Sequence, residues 1–322
     1  MIRPFPIAPA AAAVLLMAAS AALAPLADAA GKELITAYAA VQIAWMRFAV
    51  HAVLAGGAAV ATGGGLATLR PTRLQLLRGS AQFASSLCLL WALALLPLGA
   101  ALIIVFTAPL LLLLARAALR CPDADGATVA LSLLCLAGIA VGYAQSPEIS
   151  PAGAGLAFAA AMLLALCFGL TARTARTAGG FANSFHIAAP GAVLGLAPMI
   201  VLGRWPEGAD WLVAGLIGVI SALAHALIAW AMRLHRSGAL PSIGYLEIPF
   251  ALAYGWLLFD HTPTRAETAG AVLILLAAGG IALRLNRAAS DALVRRAGNA
   301  MARPGAPGGV VGRSAPPGGA GR

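Results

Sequence analysis

Apolar residues in this chain come in long unbroken blocks, not in the alternation of a strand or the stripe of a surface helix. The breaks between blocks carry arginine, glycine and proline. A bilayer core about 30 Å thick takes roughly 20 apolar residues per helical crossing. On that measure the pattern predicts ten helices, over 7–27, 37–61, 79–96, 98–118, 127–145, 152–172, 183–201, 211–230, 237–259 and 266–285. Pro97 and Gly99 in "LLPLG" predict a tight turn between the third and fourth. Beyond Asn286 the chain turns to Arg, Gly and Pro, so 286–322 is expected to be a disordered tail.

Composition agrees with a membrane protein: of 322 residues, 61% are hydrophobic and 10% charged, and the mean hydropathy is +0.91. Such a chain is an all-α integral membrane protein with no sizeable soluble domain. Its positive charge then acts as an orientation signal, because Lys and Arg in short loops stay on the cytoplasmic side. One set of alternate connections holds Arg3, then Arg70, Arg73 and Arg78, then Arg116 and Arg120, Arg173 and Arg176, Arg233 and Arg236, and the arginines of the tail. The other set holds only Lys32, Arg204 and Arg265. Both termini are therefore expected in the cytoplasm, with an even number of spans across the inner membrane. The net charge of +10 reads as this asymmetry rather than as a nucleic-acid footprint, and the basic tail is suited to anionic lipid. Trp205, Trp211 and Trp256 fall near the expected outer surface, as an aromatic belt does. The first segment also has the features of a secretory signal, with an A-x-A end at Ala27 to Ala29; cleavage there would leave nine spans. Retention fits the charge pattern better, and the rival reading stays open.

The ten helices divide into two groups of five, 7–146 and 152–285, about the connection "SPEISPAG". A shift of 140 residues lays Pro109 on Pro249, Thr107 on Glu247 and Thr128 on Thr268. A unit with an odd number of spans returns inverted. Inverted repeats are the architecture from which many secondary transporters build two gates about a midplane site.

Chemistry concentrates at that depth. Glu247, in "SIGYLEIPFALAYGW", lies roughly 15 Å into the ninth helix. Pro249 removes an N–H and frees the carbonyl of Tyr245, and Pro241 and Gly244 loosen the same half of the helix. A carboxylate at the bilayer centre costs about 2.5–3.5 kcal/mol on insertion scales, so it is expected to face the bundle interior with a partner or a proton. Arg47 in "VQIAWMRFAVHAV" reaches a similar depth from the other side. A zwitterionic solute would divide the two, its ammonium on Glu247 and its carboxylate on Arg47; a permanent structural ion pair is the alternative. His51, one turn from Arg47, is placed to relay protons, and Thr107, Ser242 and the Tyr245 carbonyl are candidate polar lining. Pro109 and Pro249 are the helix-breaking positions. His186 and His225 also lie within spans.

Other chemistries lack their residues. The sole lysine, in "DAAGKEL", has neither the upstream glycine nor the following Ser or Thr of a phosphate loop, so any transport is secondary and needs no cofactor. The four cysteines lack metal-ligand spacing, so neither zinc nor disulfides are expected. "HRSG" at His235 to Gly238 has His where an intramembrane serine protease has Gly, and no nucleophile, base and orienting group assemble. An intramembrane enzyme and a scaffold subunit without flux remain as alternatives.

The order "DAAGKEL…VQIAWMRFAVHAV", "LLRG…LWALALLPLGAALIIVFTAPLLLLLARAAL" and "GALPSIGYLEIPFALAYGWLLFDHTP" resembles the EamA branch of the drug/metabolite transporter superfamily, over about 8–285. The resemblance implies ten helices in two inverted five-helix repeats around a cavity that opens alternately to either side. It implies transport, by export or import, of a small organic metabolite such as an amino acid; with Arg47 and Glu247 the expected solute is amino-acid-like or otherwise polar or zwitterionic, its expected direction export, and protons are a candidate coupling ion. The family pattern of an arginine in the second helix, a proline in the fourth and a Glu-x-Pro in the ninth falls on Arg47, Pro109, Glu247 and Pro249. Two departures stand out. Where the family usually has an acid after the fourth helix this chain has Arg120, although Asp260 keeps the equivalent place after the ninth, and Ile248 separates Glu247 from its proline.

Overall fold

A computed structural model describes residues 9–35, 38–96, 101, 104–121, 125–142, 150–175, 178–202, 205, 207–235, 237, 239–259 and 262–301. The expected turn at Pro97 and Gly99, the charges Arg3, Arg176, Arg204, Arg236 and Asp260, and the tail after Met301 lie outside them. Among the described residues the chain forms eleven α-helices: α1 (Pro9–Ile35), α2 (Ala40–Ala59), α3 (Arg73–Leu93), α4 (Ala108–Ala118), α5 (Gly126–Gly142), α6 (Pro151–Thr174), α7 (Gly180–Leu194), α8 (Leu196–Leu202), α9 (Ala209–Leu234), α10 (Glu247–Phe259) and α11 (Arg265–Met301). A short π-type turn (Val60–Gly64) and a 3-10 turn (Leu66–Leu69) follow α2, and a 3-10 segment (Leu240–Leu246) leads into α10.

Among the described residues five helices are long and apolar enough to cross a membrane: Pro9–Ala27, Ala40–Gly63, Pro151–Thr174, Ala209–Leu234 and Arg265–Ala288. Ala108–Ala118 and Gly126–Val141 are apolar but shorter. Large apolar side chains cover the outside, with Val53 at 74%, Leu212 at 77% and Val201 at 84% exposure. No soluble monomer leaves such a surface in water; this is the face of a multi-pass protein that meets lipid.

Polar residues mark the helix starts. Thr72 caps α3, its Oγ1 accepting from the Gln75 N–H at 3.3 Å while the Gln75 side chain accepts from the Thr72 N–H at 2.7 Å. Thr264 and Glu267 repeat the device at α11. Asp125 accepts from the Thr128 N–H at the start of α5 and also pairs with Arg284 of α11. The last helix runs on to Met301, past the expected end of its span. The added segment, "NRAASDALVRRAGNAM", is rich in alanine and arginine, both strong helix formers.

The dominant contacts pair α1 with α9, α3 with α6, α2 with α7, and α5 with α11. Lipid gives helices no hydrophobic reason to associate, so small residues that allow close approach decide where they cross. A Cβ on Gly138 of α5 would fall 2.7 Å from the Gly270 carbonyl oxygen of α11, and one on Gly218 of α9 would fall 2.3 Å from Val50 of α2. The largest buried cluster joins Met17, Leu113, Ile139, Met232, Tyr245 and Ile274, from α1, α4, α5, α9, the 3-10 segment and α11.

Candidate functional site

Between the helices lies a cavity of about 220 Å³. Small side chains shape one wall, Ser20, Ala21 and Ala24 of α1 with Ala224 of α9. Its polar groups come from five further stretches of chain. Arg47 enters from α2; its Nε donates to Ser221 Oγ of α9 at 3.0 Å, and Ser221 lines the cavity too. One turn on, His225 presents Nδ1 to the Ser221 carbonyl at 2.9 Å. From α3 come Arg78, Gln82, Ser85 and Ser86. Thr171 of α6 and Asn183 of α7 adjoin them. Pro241 and Gly244 of the 3-10 segment and Glu247, the first residue of α10, complete the lining together with Pro109 of α4.

The backbone explains why Glu247 can stand there. From Leu240 to Leu246 the chain is wound as 3-10, and the Glu247 N–H bonds back to the Gly244 carbonyl before α-helical geometry takes over. Pro249 therefore falls in the first turn of α10, where a missing N–H leaves no helical bond unmade. Pro109 stands likewise in the first turn of α4. Each proline starts a helix rather than kinking one, and the irregularity precedes it.

The sequence candidates separate into two groups. Arg47, Glu247 and Pro109 line one cavity. Thr107, Ser242, Tyr245, His51 and Pro249 are not among its lining residues, and their polar groups are engaged elsewhere or packed. Thr107 Oγ1 donates to the Ile104 carbonyl at 2.6 Å. Ser242, fully buried, meets Ser132 Oγ of α5 at 3.2 Å. Tyr245 is fully buried with its ring 6.1 Å from that of Phe106. His51 Nε2 lies 2.8 Å from Ser184 Oγ, and its ring 5.2 Å from that of His225. His51 was singled out by its spacing from Arg47 and the other three by their place beside prolines, whereas the direction a side chain takes depends on which helices meet.

Arg78 escaped the reading of the sequence. Grouped with Arg70 and Arg73, it counted there as a loop charge; instead it sits inside α3 at 1% exposure. A signal was present: Arg78, Gln82, Ser85 and Ser86 are spaced four and three to four residues apart, one polar face on an otherwise apolar helix.

Comparison with known proteins gives a family match and a likeness to solved structures. Residues 153–283 match the EamA-like transporter family. A solved protein titled "Crystal structure of protein" superimposes with a TM-score of 0.70 at 22% identity, over 86% of this chain and 98% of its own; this is a likeness of fold. Among curated proteins none matches.

Proposed function

We propose, from the premise that residues 153–283 are an EamA-like domain of the drug/metabolite transporter superfamily, that this membrane protein is a secondary carrier. It moves a small polar or zwitterionic metabolite out across the inner membrane by alternating access. The observation that carries this reading is the single cavity lined by both Arg47 and Glu247. Charged groups within spans are expensive and mark solute or ion pathways. At about 220 Å³ the cavity lies below the roughly 300–1,000 Å³ typical of drug-sized pockets, which favours a small solute.

The proposed scaffold is ten spans in two inverted repeats with both termini cytoplasmic. What supports it is the symmetry of the helix pairing. Exchange α1, α2, α3, α4 and α5 with α6, α7, α9, α10 and α11, and the most extensive helix–helix contacts map onto one another: α1–α9 onto α3–α6, α2–α9 onto α3–α7, and α1–α10 onto α4–α6. The pairs α2–α7 and α5–α11 map onto themselves. The helices that start at Ala108 and Glu247 each have a proline in the first turn, Pro109 and Pro249, and these prolines keep the offset of 140 residues. In the proposed cycle the junctions at the starts of α4 and α10 flex as one repeat rocks against the other, and Glu247 exchanges a proton for the solute's cationic end.

Uptake of labelled metabolites into proteoliposomes tests the reading. A saturable flux with a pH dependence that disappears in Glu247→Gln is expected. A pH profile unchanged by that substitution would refute proton coupling, and no flux for any solute would favour a scaffold subunit.

A further inference from the structure

Arg78 is the cavity group that the carrier mechanism does not yet use. Its Nη1 donates to Thr174 Oγ1 at 2.9 Å and to Asn183 Oδ1 at 3.4 Å, and its Nη2 donates to the Asn183 carbonyl. Its Nε is buried with no hydrogen-bond partner among the described residues. A guanidinium used only as a strut between helices would be expected to have every buried donor satisfied, since a buried N–H left without an acceptor forfeits its hydration for nothing.

The surroundings hold this side chain in place. Asn183 is fixed by its own Nδ2, which donates to the carbonyls of Ala175, Ala178 and Gly179. The backbone beside Arg78 already packs closely on α7: a Cβ on Gly79 would fall 2.6 Å from the His186 carbonyl oxygen. A guanidinium whose rotamer is set beforehand binds an anion without first being ordered. Charge points the same way. Among the described lining residues stand two guanidiniums, Arg47 and Arg78, and one carboxylate, Glu247. One carboxylate leaves that wall with an excess positive charge in a low-dielectric setting, where such an imbalance is costly.

Resting on the carrier reading above, we propose that Arg78 is the anion anchor of the cavity: the transported solute carries an oxyanion, a carboxylate or phosphate group, that accepts from the Arg78 guanidinium where it borders the cavity. Arg47, already bonded to Ser221, then serves as a secondary positive charge. Gln82, Ser85 and Ser86 of α3 line the same cavity, with the Ser85 hydroxyl donating to the Ala160 carbonyl.

Equilibrium binding to the purified full chain in detergent tests this without flux, using inorganic phosphate, acetate, leucine and choline as probes. At least one of phosphate, acetate or leucine is expected to bind, and which of them does separates a phosphate solute from a carboxylate one. Arg78→Gln should weaken that binding by about tenfold or more, and Arg78→Lys by less, because lysine keeps charge but not the fork. Binding of choline alone, or an anion affinity equal in wild type and a monodisperse Arg78→Gln protein, overturns the proposal. Should Arg78→Gln not fold, Ser86→Cys in the Arg78-intact chain answers instead. An anionic methanethiosulfonate should modify it faster than a cationic one, with phosphate or leucine slowing the reaction; equal rates overturn the anchor. Arg78-dependent binding without flux in proteoliposomes would sink the carrier and leave the anchor. Saturable flux of a cation, indifferent to Arg78→Gln, would do the reverse.

Discussion

Arg47 and Glu247 differ in how the fold holds them, and their substitutions should differ too. Arg47 donates through Nε to Ser221, across the contact between α2 and α9. Arg47→Gln keeps a donor but loses the charge, so anionic and zwitterionic solutes should lose transport about tenfold or more while cations change little. Competition assays in proteoliposomes measure this, and equal loss for all solutes would assign Arg47 to folding. Gly79 gives a residue-scale prediction about stability. Gly79→Ala sets a methyl group against the His186 carbonyl and Pro190, and overpacking of this kind costs about 1–3 kcal/mol. Thermal unfolding in detergent should show a lower midpoint. Glu247 was legible from sequence because a lone acid in an apolar run has few explanations. Arg78 was not, because an arginine six residues into a helix next to loop arginines has the same local pattern whether it faces water or the bundle.

At the scale of elements, the prolines read as helix breakers turn out to be helix starters. Pro249 stands in the first turn of α10, behind the 3-10 segment. Pro249→Ala should therefore leave the melting midpoint nearly unchanged, shifting stability by less than about 1 kcal/mol; an interior proline's removal would restore a hydrogen bond and stabilise more. The contact between α5 and α11 carries the opposite expectation. Gly138→Leu must force the helices apart at the Gly270 carbonyl, and a strong fall in thermal stability should follow. Five of the ten expected spans stand as helices long and apolar enough to cross a membrane among the described residues. These were legible as apolar blocks, since hydropathy reports burial from water. The division of the ninth block into 3-10 and α segments was not, because both windings use the same residues and only neighbours choose between them. The extension of α11 to Met301 was missed because arginine-rich sequence after a span reads as tail, although its alanines favour a helix.

For the whole molecule, the exchange symmetry of the helix pairs and the shared cavity support one account: two oppositely oriented five-helix units enclosing a solute between Glu247 and the arginines. Sequence points to the proposed repeat only faintly, through such pairs as Pro109 and Pro249, since two inverted units would need the same backbone and not the same side chains. A reporter fused at the C-terminus should be active only in its cytoplasmic form. The central claim is that solute crosses through this cavity, and blocking it is the direct test. Ala224 lines the wall at 5% exposure, so Ala224→Trp fills the space with an indole. Saturable proteoliposome uptake should vanish in a variant that remains monodisperse and helical; uptake equal to that of the wild-type protein would mean that solute takes another route.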